Sequence, residues 1–585
     1  MPAELPLVPS AIALASSALL FFLPGRASLV HRAAIGLVVL GAFLPVTLGP
    51  LIDPTRAAGR ALWQWSAVGG PTIQASYRLD ALSEVALALT AMYAGAAMAT
   101  ASRAERRHPA LASLILAVGL VTIALVVTDD LVAAIVVLAV LAALTILALF
   151  AVTPVAATAR AAAYLSIGLQ AWVVAALLMS RSGSPTFLLG AVPSVAVTAG
   201  VMLAATLGAL LFAGLYPVVA WSADETEASR DVGPLGSLVL MPAGIGATFL
   251  LVRLLGASDL TTSAISLPAL SFEVRLAFVV LVLLAVALAL AASGRVPLRP
   301  IAVGVIAILL VAVLPSLGWA HVVLISAILT AGYAGVVSLA LPDHWETVRS
   351  DLALVAIWIA VATGSPLAIA GGIVALFARA AAAFASSLWL VPHRDYVALV
   401  GGSAVYVAGV VVVGAGALTG TEPAVIALAV AGVALLVALE LAQVGRRFRV
   451  ADVPPDLDLA SAIAAFGLAL LATIVVVPLE ADLRTHLPGP GAITSTHIAA
   501  IAVGAALAVV LARTVRPLLP YFEAAAERSG PVMRALDPAP VGVGAFRAVE
   551  AAATRASTAF GLFERRAGVW LATAVIVALL IWAVR

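Results

Sequence analysis

The feature that most constrains this chain is the recurrence, from one end to the other, of runs of roughly 18 or more apolar residues with almost no charge. A bilayer core of about 30 Å asks for about 20 such residues per helix. Lipid offers the backbone no hydrogen bonds, so only helices or closed barrels can cross it. The runs lack a period of two and are too long for barrel strands. The chain therefore reads as an all-α membrane protein. Its composition agrees, because only 10% of its residues are charged and 64% are hydrophobic. Soluble domains carry about 25% charged residues, so a globule clothed against water is excluded.

Counting runs between charges, Gly and Pro predicts a polytopic helical bundle of about 14–17 transmembrane helices. Candidate spans begin near Ala11, His31, Leu79, Ala110, Leu131, Ala161, Val195, Leu235, Leu276, Ile301, Val322, Leu352, Tyr396, Ala424, Ala460, Ile498 and Val569. Glu4, not a basic cluster, precedes the first run, which reads as a membrane helix and not a removable signal. The long connections are 51–78 and 517–566, and neither has room for a soluble domain. Arg26/Arg32 and Arg103/Arg106/Arg107 point their loops toward the cytoplasm. From Phe546 to Arg566, Phe546, Val549, Ala553, Phe560 and Phe563 recur at helical spacing among charges, the pattern of a helix lying on a surface.

Several chemistries drop out. The chain has no cysteine, which removes disulfides and thiolate ligation. All 31 of its basic residues are arginine, and arginine hardly deprotonates, so no lysine relay exists. The seven histidines lack metal-ligand spacing, and no phosphate loop or nucleophile motif is present, so no catalytic site, cofactor or metal is expected. A net charge of +2 gives no reason to expect nucleic acid.

Four landmarks carry a resemblance. They are YRLDALSEVALALTAM (Tyr77 to Met92), VTDDLVAAIVVLAVLAALTIL (Val127 to Leu147), the stretch from Leu211 to Leu255 with Tyr216, Pro217, Trp221, Gly233, Pro234 and Arg253, and ATGSPLAIAGG (Ala362 to Gly372). Their order, over Leu79 to Arg447, resembles the antiporter-like membrane subunits of respiratory complex I, Mrp-type cation/proton antiporters and membrane-bound hydrogenases. The resemblance implies inverted five-helix repeats, with helices broken near Gly214 to Pro217 and near Pro366, between Gly364 and Gly372. It also divides the chain into N-terminal helices (1–110), an antiporter-like core (111–450), C-terminal helices (451–520), and a surface helix with a final span (521–585).

The family's proton path resembles a glutamate followed by a line of lysines. Here those places fall on Ala139, Phe212, Ile245 and Val374, all apolar. The resemblance therefore implies a degenerate copy. It would be a structural or coupling subunit of a proton-translocating quinone oxidoreductase or hydrogenase-type complex, or of an Mrp-like one, multi-pass in a bacterial inner (plasma) membrane. Its expected partners are other membrane subunits and the lipid bilayer. The alternatives are an independent secondary transporter, with breaks at Pro217 and Pro366 lining a substrate site, and a scaffold of an anion-uptake complex.

The ionisable and polar residues left at bilayer depth are the candidates for any ion path. Glu440 is expected to snorkel or to pair near Arg446. Arg379 reads first as an interfacial anchor, with a pairing to Glu440 or a watery cavity as the alternatives. Glu84, one turn after Asp80, suits a helix start, and Asp129 and Asp130 suit capping. His321 reads as interfacial. Gln170 lies mid-span, where it could hydrogen-bond across helices. Asp224, Glu225 and Glu227 read as a solvated turn.

Overall fold

A computed structural model describes residues 58–66, 70–104, 111–152, 155–215, 235–258, 318–340, 345–388, 392–420 and 422–450, together with 520 and 524. The chain opens there with a β-hairpin where the sequence suggested only a long connection. β1 (Ala58–Ser66) pairs antiparallel with β2 (Thr72–Leu79), Ser66 opposite Thr72 and Ala58 opposite Leu79. Aromatic and β-branched residues supply the strand preference, but the segment is too short to register against long apolar runs. Trp63 and Trp65 stand exposed on one face.

Eleven α-helices follow among the described residues: α1 (Ala81–Ala104), α2 (Leu111–Val127), α3 (Leu131–Phe150), α4 (Val155–Arg181), α5 (Ala199–Ala213), α6 (Leu235–Gly256), α7 (Trp319–Ala340), α8 (Trp345–Thr363), α9 (Pro366–Leu388), α10 (Pro392–Ala417) and α11 (Pro423–Val450). Six are long and apolar enough to cross a membrane. Three open on proline, whose fixed φ suits the first turn and whose missing N–H would have been an orphan there. Asp130 caps α3, accepting from the N–H groups of Val132 and Ala133. Gly214, at φ +67°, ends α5 in the left-handed conformation, with its N–H on the Leu210 carbonyl.

Burial sorts the helices into a centre and a rim. About nine-tenths of the apolar stretches of α1, α6 and α9 is buried, against 39% for α3, α4 and α11. Helix α1 packs on α2, α6 and α9, while α6 also meets α3, α5 and α8. The rim presents Val136, Val140, Leu147 and Phe150 of α3 and Ile167, Val173, Val174 and Leu177 of α4.

The stretch expected to be one broken span is two helices. Gly364, at φ +65°, and Ser365 reverse the chain between α8 and α9, and Pro366 is the first residue of α9. The helices pack back on each other, so closely that a Cβ on Gly372 would lie 2.8 Å from the Ile357 Cα. Helix α9 runs unbroken through Gly371 and Gly372. The left-handed glycine decides this, since a positive φ followed by proline ends one helix and starts another. Pro217 lies outside the described residues, as do the first two helices expected of the second inverted repeat (starting near Leu276 and Ile301), the acidic residues Asp224, Glu225 and Glu227, the surface helix and the final span.

Small residues weld α9 to α10. A Cβ on Gly409 would sit 2.6 Å from the Ala375 nitrogen, and one on Gly416 2.4 Å from the Ala368 nitrogen. Without a hydrophobic drive between helices in lipid, such backbone approach is what gives van der Waals packing its strength.

Candidate functional site

Two charged clusters lie inside the bundle. The first joins α9 to α11. Arg379 donates from Nη1 to Glu440 Oε1 at 3.0 Å, and its Nη2 meets Glu440 Oε2 in a second contact. The two side chains are 1% and 2% exposed. The guanidinium carbon lies 3.8 Å from the ring centroid of Tyr406 on α10, whose hydroxyl donates to the Leu352 carbonyl of α8 at 3.1 Å. Planar guanidinium suits this arrangement, because it can fork onto a carboxylate while stacking on an aromatic face.

The alternative expected for Arg379, a pairing with Glu440, is what the structure shows, and the leading reading of each residue gives way to it. Arg379 is not an interfacial anchor, and Glu440 does not snorkel. Each lies close to the end of its helix's apolar stretch, yet neighbouring helices seal both from solvent. Sixty-one residues separate the partners, so sequence spacing alone gave no reason to prefer this pairing over the nearby Arg446.

The second cluster lies at the start of α1. Asp80 caps α1, its Oδ1 accepting from the Ser83 N–H at 2.8 Å and from the Ser83 hydroxyl at 2.6 Å. Arg253, in the last turn of α6, reaches the same oxygen at 2.8 Å and also contacts the Ser83 hydroxyl. Arg78 Nε lies 3.4 Å from Asp80 Oδ2. Asp129 joins through the backbone, its N–H on the Ser76 carbonyl and its carbonyl accepting from Leu189. The fold thus brings together the end of β2, the start of α1, the α2–α3 junction, the loop after α4 and the end of α6.

The carboxylates here differ. Burial pushes Asp80 up, but the charge of Arg253, the Ser83 hydrogen bonds and Arg78 outweigh it and hold Asp80 below the usual carboxylate value. Burial also raises Asp129, and Arg253 and Arg78 do not fully offset it, while Asp80 and Asp130 push it further up. Asp130 is raised by burial against the backbone N–H groups of Ala133, Gln74 and Val132. The capping expectation holds for Asp130 alone; Asp129 faces the arginines.

The other candidates stay apart. Glu84 is buried in the first turn of α1, and its N–H donates to the Asp80 carbonyl. The cap itself is Asp80. His321 Nε2 lies 3.3 Å from Glu422 Oε1, tying the start of α7 to the residue before α11. Gln170 is exposed on α4. Phe212, Ile245 and Val374 are buried in the apolar core. Sequence reading also missed two cross-helix bonds, from the Trp319 indole to the Thr206 hydroxyl at 2.7 Å and from the Trp358 indole to the Thr248 hydroxyl at 3.2 Å. No group of metal-ligating side chains occurs among the described residues.

Solved structures resemble this arrangement. A chain of the Mrp complex from Dietzia sp. DQ12-45-1b matches with a TM-score of 0.61 and 18% identity, covering 100% of this chain and 63% of its own length. A chain of the membrane-bound sulfane sulfur reductase, an archaeal respiratory membrane complex, matches with a TM-score of 0.61 and 14% identity, covering 99% of both. The fold is that of the antiporter-like membrane subunits. This chain spans under two-thirds of the Mrp chain's length. No family model and no curated protein matches it. Within the antiporter-like fold, the buried charge of the described core lies at the Arg379–Glu440 pair, in the Asp80 cluster with the neighbouring Asp130 cap, and at Glu84.

Proposed function

We propose that this chain is a membrane-arm subunit of a multi-subunit, proton-translocating respiratory or Mrp-like complex, and that it serves coupling and structure more than conduction. The observation that carries this is the Arg379–Glu440 pair, sealed among α8, α9, α10 and α11 with its cation stacked on Tyr406. An ionisable pair at bilayer depth is costly and marks function by default. One partner is an arginine, which holds its proton at ordinary pH. The pair can fix a local field and respond to helix movement. Any proton that it handles must go through Glu440.

Apolar residues at the places matching the family's lysines support the same reading, since they leave no ladder of titratable groups there. The exposed faces of α3 and α4 suit neighbouring membrane subunits, and Gln170 amid one of them is placed for an interhelical hydrogen bond. The independent-transporter alternative loses one of its two broken helices, because Pro366 opens α9 after a chain reversal.

The test is proton uptake in proteoliposomes holding the whole complex, compared at equal subunit content. Glu440→Gln is expected to lower uptake, while Arg379→Ala chiefly reduces assembly. Unchanged uptake in a fully assembled Glu440→Gln complex would leave the subunit a scaffold.

A further inference from the structure

The cluster at the start of α1 holds polar groups that the buried pair does not use. Among the described residues, Asp129 is 4% exposed and its Oδ1 has no hydrogen-bond partner. The Arg253 side chain is 7% exposed; one Nη serves Asp80 and Ser83, while its Nε and Nη1 find no partner among the described residues. An orphaned acceptor and two orphaned donors in one buried cluster each carry an uncompensated desolvation cost if left so. Ordered water or a bound ligand is the ordinary way such a cost is met.

The chemistry narrows what that ligand is. Two guanidinium groups repel a metal cation, and two carboxylates, Asp80 and Asp129, repel an anion. A molecule that accepts from Arg253 and donates to Asp129 satisfies both, and water is the smallest that does so. The site also lies just beneath solvent. Gly190 is exposed in the loop over it, and a Cβ there would stand 3.0 Å from Arg78 Nη1 and 3.3 Å from Asp129 Oδ2. The glycine lets the loop close directly on the arginine and the carboxylate.

We propose that Asp129, Arg253, Arg78 and Asp80 form a proton-exchange site at the mouth of α1, in which Asp129 Oδ1 binds the proton and water held against Arg253 carries it to and from the medium. On loading, an O–H bond forms at Oδ1 as a hydronium gives up its proton and becomes water; release reverses this. The charged groups facing Asp129 are Arg78 of β2, Arg253 from α6, Asp80 before α1 and Asp130 at the cap of α3. Burial fits the role, since it raises Asp129 above the usual carboxylate value against the pull of Arg253 and Arg78. The site does not depend on the Arg379–Glu440 reading.

The experiment is an infrared pH titration of the full chain in lipid nanodiscs, following the protonated-carboxyl band with deuterium exchange. A band that titrates above the ordinary carboxylate range and shifts in deuterium oxide is expected. It should vanish in Asp129→Asn and persist in Asp130→Asn. Gly190→Ala, in an exposed loop, should move the midpoint upward, because the added Cβ pushes the Arg78 charge away from Asp129. Replacing chloride and sodium by bulky ions should leave the midpoint in place. A band retained in Asp129→Asn, or an unmoved midpoint in Gly190→Ala, overturns the assignment. An ion-dependent midpoint overturns water in favour of a bound ion.

Discussion

Removing the Glu440 carboxylate while keeping its shape, as Glu440→Gln does, leaves the Arg379 cation buried without the carboxylate that it forks onto. Both Nη groups point at the lost oxygens, and the side chains are 1% and 2% exposed, so water cannot step in without repacking. The Tyr406 ring at 3.8 Å stays in place in wild type and variant alike and so offsets nothing in the difference. Breaking a buried pair from one side costs about 3–5 kcal/mol, which is roughly two to three and a half orders of magnitude in the folding equilibrium. Replacing both partners by Met removes the desolvation of two charges and keeps comparable volume, so the double variant should fall within about 1 kcal/mol of wild type or above it. With single Met variants each costing about as much, the coupling between the sites should then be about 5 kcal/mol or more, above the usual range for residues in contact. The assay is reversible unfolding of the full chain in mixed micelles, with all four corners of the cycle under one set of conditions. Single variants costing under about 1 kcal/mol, or a double variant costing the sum of the singles, would refute the sealed pair.

Three further outcomes follow from other contacts. Gly409→Val should destabilise the chain by at least about 1–3 kcal/mol through overpacking, because the Cβ alone would stand 2.6 Å from the Ala375 nitrogen; a melt in detergent at the wild-type temperature would contradict the close approach of α9 and α10. Asp80 is held low, so its stabilisation is complete above the unfolded carboxylate value near ~3.9 and is lost as pH falls through its folded value. Asp129 is held high, so its contribution runs the other way and stability declines as pH rises from near ~3.9 to its raised folded value; melting temperatures across pH should show that decline in wild type and not in Asp129→Asn. Gln170→Leu should leave the melting of the isolated chain unchanged and reduce co-purification of other membrane subunits, whereas a destabilised isolated chain would place a partner for Gln170 within this chain.

The membrane class and most helix positions among the described residues were legible from sequence, because a helix in lipid must satisfy its own backbone within one contiguous run. Starts expected near Leu131 and Leu235 coincide with α3 and α6, and those near Leu79 and Ala110 differ from α1 and α2 by a residue or two. The Asp130 cap could be read from its place before an apolar run, since capping acts over three residues. What escaped was decided between segments. The reversal at Gly364 depends on one backbone angle, and an apolar run reads the same whether it continues or turns back. The hairpin needed two short strands to find each other. Arg379 and Glu440 each looked like residues bound for water, because hydropathy scores a charge singly, while burial depends on a partner brought from 61 residues away. Asp129 and Asp130 are neighbours in the chain with one capping pattern between them, and the packing of α6 against α1 and α2 decided which caps a helix and which faces arginine. Local rules settle where a membrane helix starts; which charge it can afford to bury is settled only by the helices packed around it.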